Sequence, residues 1–262
     1  MKRSDLLPVL LLFPLLGFVA VQVTQASHLT ATSEAAMLGP TAHVAASHVA
    51  KELTPASTGA ATSAEPLAAD DRDVADIRRR IMLGERGTYI SEVLLQRDSA
   101  LARWPDRVAQ PVRVWVGSGA QVEGWDSTFT DRVHEAFDEW TSLGIPVKFT
   151  FVTDSSDADV RVTWIDHFDT PISGKTLWAR DRNFWIVNGS ITLALHHNGG
   201  ESLDDRAIKA IALHEVGHLL GLDHTVDTTN IMTARVRVRD LSDADRATMK
   251  LLYSLPPGSV KG

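Results

Sequence analysis

The chain contains no cysteine. Disulfides are therefore excluded in any compartment, and whatever staples the fold must be side-chain packing or a metal held by other ligands. A cationic excess is missing too: 26 Lys and Arg stand against 33 Asp and Glu, a formal charge of −7. That balance offers nucleic acid nothing to bind. Aromatic side chains make up only 6% of the chain, and all seven tryptophans fall between Trp104 and Trp185. Upstream of Trp104 there is little to build a core from, so the folded unit is expected to span residues 104–262. A chain of 262 residues has room for one good-sized domain plus extensions.

Long apolar runs are absent except at the start. Lys2 and Arg3 precede a run from Leu6 to Val23, with small residues around Thr24-Gln25-Ala26. Residues 1–26 read as a signal peptide, which would make the protein secreted, extracellular or periplasmic. The alternative is an uncleaved membrane anchor over residues 6–23, since about 18 apolar residues just span a bilayer. Residues 27–70 are rich in Ala, Ser and Thr without a sustained period, the composition of a disordered linker. His28, His43 and His48 fall in it and read as solvated.

Residues 71–103 regain helical spacing. Val74, Ile77 and Ile81 form one stripe, and Ile90, Val93, Leu94, Arg97 and Leu101 suggest a second helix. By position this is a pro-segment covering a cleft, or an N-terminal extension. Arg78-Arg79-Arg80 reads as a charged helix face, with a processing site as the other option.

Beyond Trp104-Pro105 the pattern is α+β. Strands are expected at Val112–Val116, Val147–Val152, Asp159–Ile165 and Ser190–Leu195. Phe129, Val133, Phe137 and Trp140 recur as the apolar face of a long helix backing a sheet. Ser202 or Asp204 opens a helix to Leu220, and Ser242 opens a last one ending near Tyr253. Asp154, Asp157 and Asp159 read as a solvated turn, with a calcium site as the alternative because hard cations take oxygen ligands.

The chemistry concentrates in His214-Glu215-Val216-Gly217-His218-Leu219-Leu220-Gly221-Leu222-Asp223-His224. Histidines four apart share one side of a helix, so both imidazoles reach one ion. Gly221 lets the helix end in a left-handed residue and the chain double back to present His224. Three neutral nitrogens leave a zinc ion its full charge and one open position, the mark of a catalytic rather than a structural site. Glu215, next to the first histidine, can sit beside the metal without ligating it. The bland reading is a core helix that happens to carry histidines.

The pattern H-E-x-x-H-x-x-G-x-x-H resembles the metzincin zinc peptidases, and within them the matrixin-type catalytic domain. Asn230-Ile231-Met232-Thr233-Ala234 stands where such domains place a methionine turn beneath the zinc. The resemblance runs from about Pro111 to Tyr253. It implies a mixed twisted sheet of about five strands with a long backing helix, the zinc-binding helix and a C-terminal helix. It also implies zinc ligands His214, His218 and His224, with Glu215 as general base toward a zinc-activated water. Peptide or protein substrates would add as an antiparallel strand at Thr176–Arg180, and Thr233–Arg237 would wall the pocket. His167 and Asp169 match an H-x-D pair that helps hold a structural zinc in matrixins, but the next ligand position is Trp178; His196 and His197 are the substitutes on offer, and a second zinc is not expected. No cysteine is available for the propeptide switch that many matrixins use.

The function implied is a zinc-dependent endopeptidase. The alternatives are a non-catalytic module braced by zinc, and a peptidase restricted to its own precursor or one partner. A membrane partner enters only if the N-terminal segment stays uncleaved.

Overall fold

The computed structural model describes residues 71–261. The signal or anchor segment 1–26, the linker 27–70 and its three histidines lie outside the described residues. Among the described residues no helix is long and apolar enough to cross a membrane.

Alternation builds the sheet. In Val160–Ile165 (β4), Val160, Val162 and Trp164 are buried while Arg161 and Thr163 face outward, as the two-residue repeat of a strand demands. The first sheet strand, Arg107–Val116 (β2), is longer than alternation over Val112–Val116 predicts and contains Pro111. Val147–Phe151 (β3), Gly174–Arg180 (β5) and Ile186–Ala194 (β6) complete five strands in the order β3-β2-β4-β6-β5. All neighbours are parallel except β5, which runs antiparallel to β6 at the edge. An edge strand keeps one row of backbone groups unpaired within the sheet.

Two helices cover one face. Thr128–Thr141 (α3) buries Phe129, Val133, Ala136, Phe137 and Trp140. Asp205–Leu219 (α4) lies against α3 and is buried from Ala210 to Leu219 without a break. Asp204, not Ser202, caps α4, its carboxylate accepting from the Ala207 N–H at 2.7 Å. Asp243–Ser254 (α5) starts with a capping box between Ser242 and Asp245.

Residues 71–103 differ from expectation. Asp71–Gly84 (α1) and Ile90–Gln96 (α2) do form, preceding the two-residue strand Ala100–Leu101 (β1), which pairs with Gly258–Ser259 (β7). The second helix stops five residues before Leu101 because Asp98 and Ser99 take positive φ angles of 54° and 57°. The segment's apolar side chains turn into the body of the domain. Ile77, Ile81, Tyr89, Ile90, Val93 and Leu101 join the same apolar cluster as the sheet and α4. Counting tryptophans missed this, because aliphatic side chains do the packing there. The arginine run is an exposed charged face, as expected, and two of its members also reach the C-terminal segment: Arg78 donates to Val260 O at 2.8 Å, and Arg80 donates to Ser254 O.

The acidic turn is likewise occupied by local partners. Asp154 accepts from Ser156 N at 2.8 Å, and Asp159 bridges Arg107 and Arg113 at 3.0 Å each.

Candidate metal centre

α4 carries His214 and His218 into the interior, where they are 3% and 0% exposed. Leu220 closes the helix and Gly221 turns the chain at φ 108°. A Cβ at Gly221 would lie 2.2 Å from Ala102 O, so both the turn angle and the close approach require glycine. The reversal brings His224 back onto the pair. Its ring stacks 5.2 Å from that of His214 and meets His218 edge-on at 4.8 Å.

The ring orientations are set by backbone carbonyls. His214 Nδ1 lies 2.7 Å from Ile231 O, and His218 Nδ1 lies 3.1 Å from Leu222 O. A carbonyl can only accept, so Nδ1 carries the proton on both rings and each Nε2 presents a lone pair. Those Nε2 atoms are 3.0 Å apart, and His224 Nε2 is 3.2 Å from that of His218. Lone pairs crowded this closely repel unless a cation sits among them. Tetrahedral zinc with Zn–N near 2.0–2.1 Å would set them about 3.4 Å apart, so the donor set fits a zinc ion. Among the described residues this is the group of three whose ligand atoms, all within 4.8 Å of one another, can hold a metal ion.

Burial keeps the ligands neutral. It pulls His214 down to about 3, with the neighbouring His224 adding to the effect, and holds His218 well below its ordinary value. Burial lowers His224 as well, against the opposing charge of Asp223. Neutral imidazole is the form that ligates.

Glu215 is 2% exposed beside these rings. Thr176, on the inward face of β5, reaches its Oε2 at 2.6 Å and its backbone O at 2.9 Å. Gly174 leaves room for the carboxylate, since a Cβ there would fall 2.5 Å from Oε1. A cavity of about 590 Å³ opens at His214 and Glu215, with Ala210, Ile211, Val236 and Val238 among its lining. No residue of 71–103 lines it.

Met232 is fully buried against Gly217 of the zinc helix, and Thr225 N donates to its carbonyl at 2.9 Å. Asp245 ties the turn down, accepting from Ile231 N at 2.9 Å and Tyr89 OH at 2.8 Å. Burial first, then the Asp245 charge, holds the Tyr89 hydroxyl well above its ordinary value, so it stays a donor.

Other residues singled out by sequence go elsewhere. His167 is half-exposed, with Nδ1 2.6 Å from Asp166, and Asp166 also holds His196 at 2.6 Å. His197 pairs with Ser173 at 2.9 Å. Trp178, at the expected ligand position, is buried and donates its indole N–H to His218 O at 3.0 Å. Sequence reasoning passed over Gly174, Thr176 and Asp245. For Thr176 a signal existed: it is the polar residue at an inward position of an edge strand, so it needed a buried partner.

Comparison with known proteins agrees with this architecture. A sequence profile described as Matrixin matches residues 123–254, half of the chain. Metalloendoproteinase 1 of Glycine max is 24% identical over 153 residues, covering 50% of this chain and 48% of that protein. Metalloendoproteinase 1-MMP of Arabidopsis thaliana is 33% identical over 140 residues, 47% of this chain and 37% of the relative. Metalloendoproteinase 2-MMP of the same plant is 29% identical over 143 residues, with 47% and 36% covered. The matched stretch thus spans less than half the length of each of these relatives. With half its length matched by the profile, and with the five-stranded mixed sheet and histidine helix in place, the chain belongs to the matrixin family.

Proposed function

We propose that the chain is a zinc-dependent endopeptidase acting on extended peptide segments. One observation carries the reading: three Nε2 atoms gather beside the carboxylate of Glu215, at the mouth of a cavity. His214, His218 and His224 would hold the zinc. When bound, zinc supplies Lewis acidity, acidifying water and polarising a carbonyl.

Glu215 then acts as general base, taking a proton from the attacking water and delivering it to the leaving amine. Thr176 orients that carboxylate through Oε2, and Oε1 lies against Gly174. A substrate adds antiparallel to β5, whose outer edge offers backbone partners. Its side chain past the scissile bond enters the cavity against Val236 and Val238. Arg235, Arg237 and Arg239 alternate outward at the rim, which favours acidic residues flanking an apolar one. The charged start and apolar run of residues 1–26 support export of the protein.

The test is digestion of a mixed peptide library by the full chain, with zinc and with chelator. Internal cleavage that chelator abolishes is expected, and Glu215→Ala should keep the zinc while losing about 10²–10⁴ in rate. Zinc-stabilised folding without cleavage would favour a binding module, and cleavage confined to residues 27–70 would favour a self-processing enzyme.

A further inference from the structure

α2 and the residues that follow it touch the metal centre from behind. Arg97 leaves the end of α2 and is almost enclosed, its side chain 11% exposed and the facing Asp223 13%. Its Nη2 donates to Leu222 O at 2.8 Å. That carbonyl also receives Nδ1–H of His218, so one oxygen couples the guanidinium to the second ligand. Arg97 Nε lies 3.1 Å from Asp223 Oδ2, close enough for an ion pair though not aligned as a hydrogen bond. The other oxygen of Asp223 accepts from His224 N at 2.9 Å. The guanidinium carbon stands 4.9 Å from the Trp178 ring centre, and that indole in turn holds His218 O.

Two neighbours grip the rest of the loop. Gln96 donates to His224 O at 2.7 Å. Glu92 accepts from Val226 N at 2.8 Å and from Thr225 Oγ1 at 3.2 Å. Every residue from Leu222 to Val226 is therefore bonded, directly or through Asp223, to a stretch of six residues in α2 and its C-cap. Nothing in the zinc motif itself supplies these bonds. Past Gly221 the chain leaves the helix axis; Leu222 still bonds back to Gly217 and His218, and α2 adds the bonds to the residues beyond it.

We propose that Glu92, Gln96 and Arg97 are positioning residues that hold His224 at the metal, making this N-terminal segment a permanent part of the centre. A removable pro-segment cannot include them. Maturation that cut between Arg97 and Trp104 would release the third ligand, whereas a cut before Tyr89 would spare it. The inference rests on the metal-site part of the proposed function and not on peptide hydrolysis.

The experiment measures zinc affinity of the full chain by competition with a chromophoric chelator, together with the melting temperature of the metal-free protein. Arg97→Met keeps the apolar stem and should weaken zinc binding about 10- to 100-fold, the usual effect of an outer partner of a metal ligand. Arg97→Lys should recover part of that loss, because it keeps the charge facing Asp223 but not the fork. Glu92→Ala should weaken binding several-fold. Val160→Ala in β4 serves as a control that lowers stability away from the loop and should leave zinc affinity unchanged. Affinity within twofold of wild type in both Arg97→Met and Glu92→Ala would overturn the proposal, as would an equal loss in Val160→Ala. If Arg97→Met does not fold, Glu92→Ala and Gln96→Ala decide by the same criterion. A wild-type chain that binds zinc without cutting peptides would sink the peptidase reading alone. One that cuts peptides while the variants bind zinc normally would sink the clamp alone.

Discussion

The described part of the molecule holds two clusters of histidines, and they behave oppositely. His214 and His218 are buried and His224 half-buried, and on the first two a backbone carbonyl takes the Nδ1 proton and turns Nε2 inward. His167, His196 and His197 lie at the end of β6 and the loop before β5. There the Nδ1 atoms are spoken for by Asp166 and Ser173, side chains at the surface. The bonds to Asp166 are shorter than those in the buried cluster, yet they bring no set of ring nitrogens to a point. Number of histidines does not make a metal centre; a rigid backbone that dictates which nitrogen is bare, at the edge of a buried core, does.

The sharpest way to break this comparison is to remove a member of the enclosed set. His218→Ala should lose zinc affinity beyond the roughly 100-fold that outer partners command, and peptide cleavage with it. Near-normal zinc content in that variant would put the metal elsewhere. Next in size is Gly174→Ala. Its new Cβ would fall 2.5 Å from Glu215 Oε1, so kcat should drop about 10²-fold with zinc content intact, as expected when a catalytic group moves by about 1 Å. An unchanged kcat would show that the carboxylate has more freedom than the packing implies.

A smaller effect is expected at Asp159, whose carboxylate is fixed in the opposite way, by charge. Burial alone would raise it, but hydrogen bonds from Arg113 and the charge of Arg107 outweigh that and hold it below the ordinary carboxylate range. A depressed carboxylate stabilises the fold above its unfolded value near 3.9. That contribution is lost as pH falls through the lower folded value. Asp159→Asn should cost about 1 kcal/mol at neutral pH after solvent screening. Below pH 4 its melting temperature should converge with that of wild type, and a constant gap down to pH 2 would refute the assignment. The smallest effect belongs to the exposed histidines. Asp166→Asn should leave zinc stoichiometry, zinc affinity and melting temperature unchanged; loss of a second zinc from that variant would erase the contrast between the clusters.

How much of this was legible beforehand depends on how local each signal is. The helix spacing of His214 and His218, the glycine turn and the cap at Ser242 are written within a few residues, and α4, Gly221 and α5 appear where those signals put them. The alternation of Val160, Val162 and Trp164 marked β4 for the same reason. What stayed hidden is long-range. Thr176 meets Glu215 across 39 positions, and Arg97 meets Leu222 across 125. No period or motif encodes such a partner, because either residue alone is an ordinary threonine or arginine. The packing of residues 71–103 was hidden on similar grounds: Ile77, Ile90 and Val93 pack against elements far down the chain, and their stripe could not say which.

The central claim is that three imidazoles converge on one cation and leave it an open face. Zinc-edge X-ray absorption of the zinc-loaded full chain, beside its His224→Ala variant, tests it most directly. The account predicts one zinc per chain with three imidazole nitrogens near 2.0–2.1 Å and one light non-imidazole ligand, falling to two imidazoles in the variant. A four-imidazole shell in the wild type, or a shell unchanged by loss of His224, would contradict it.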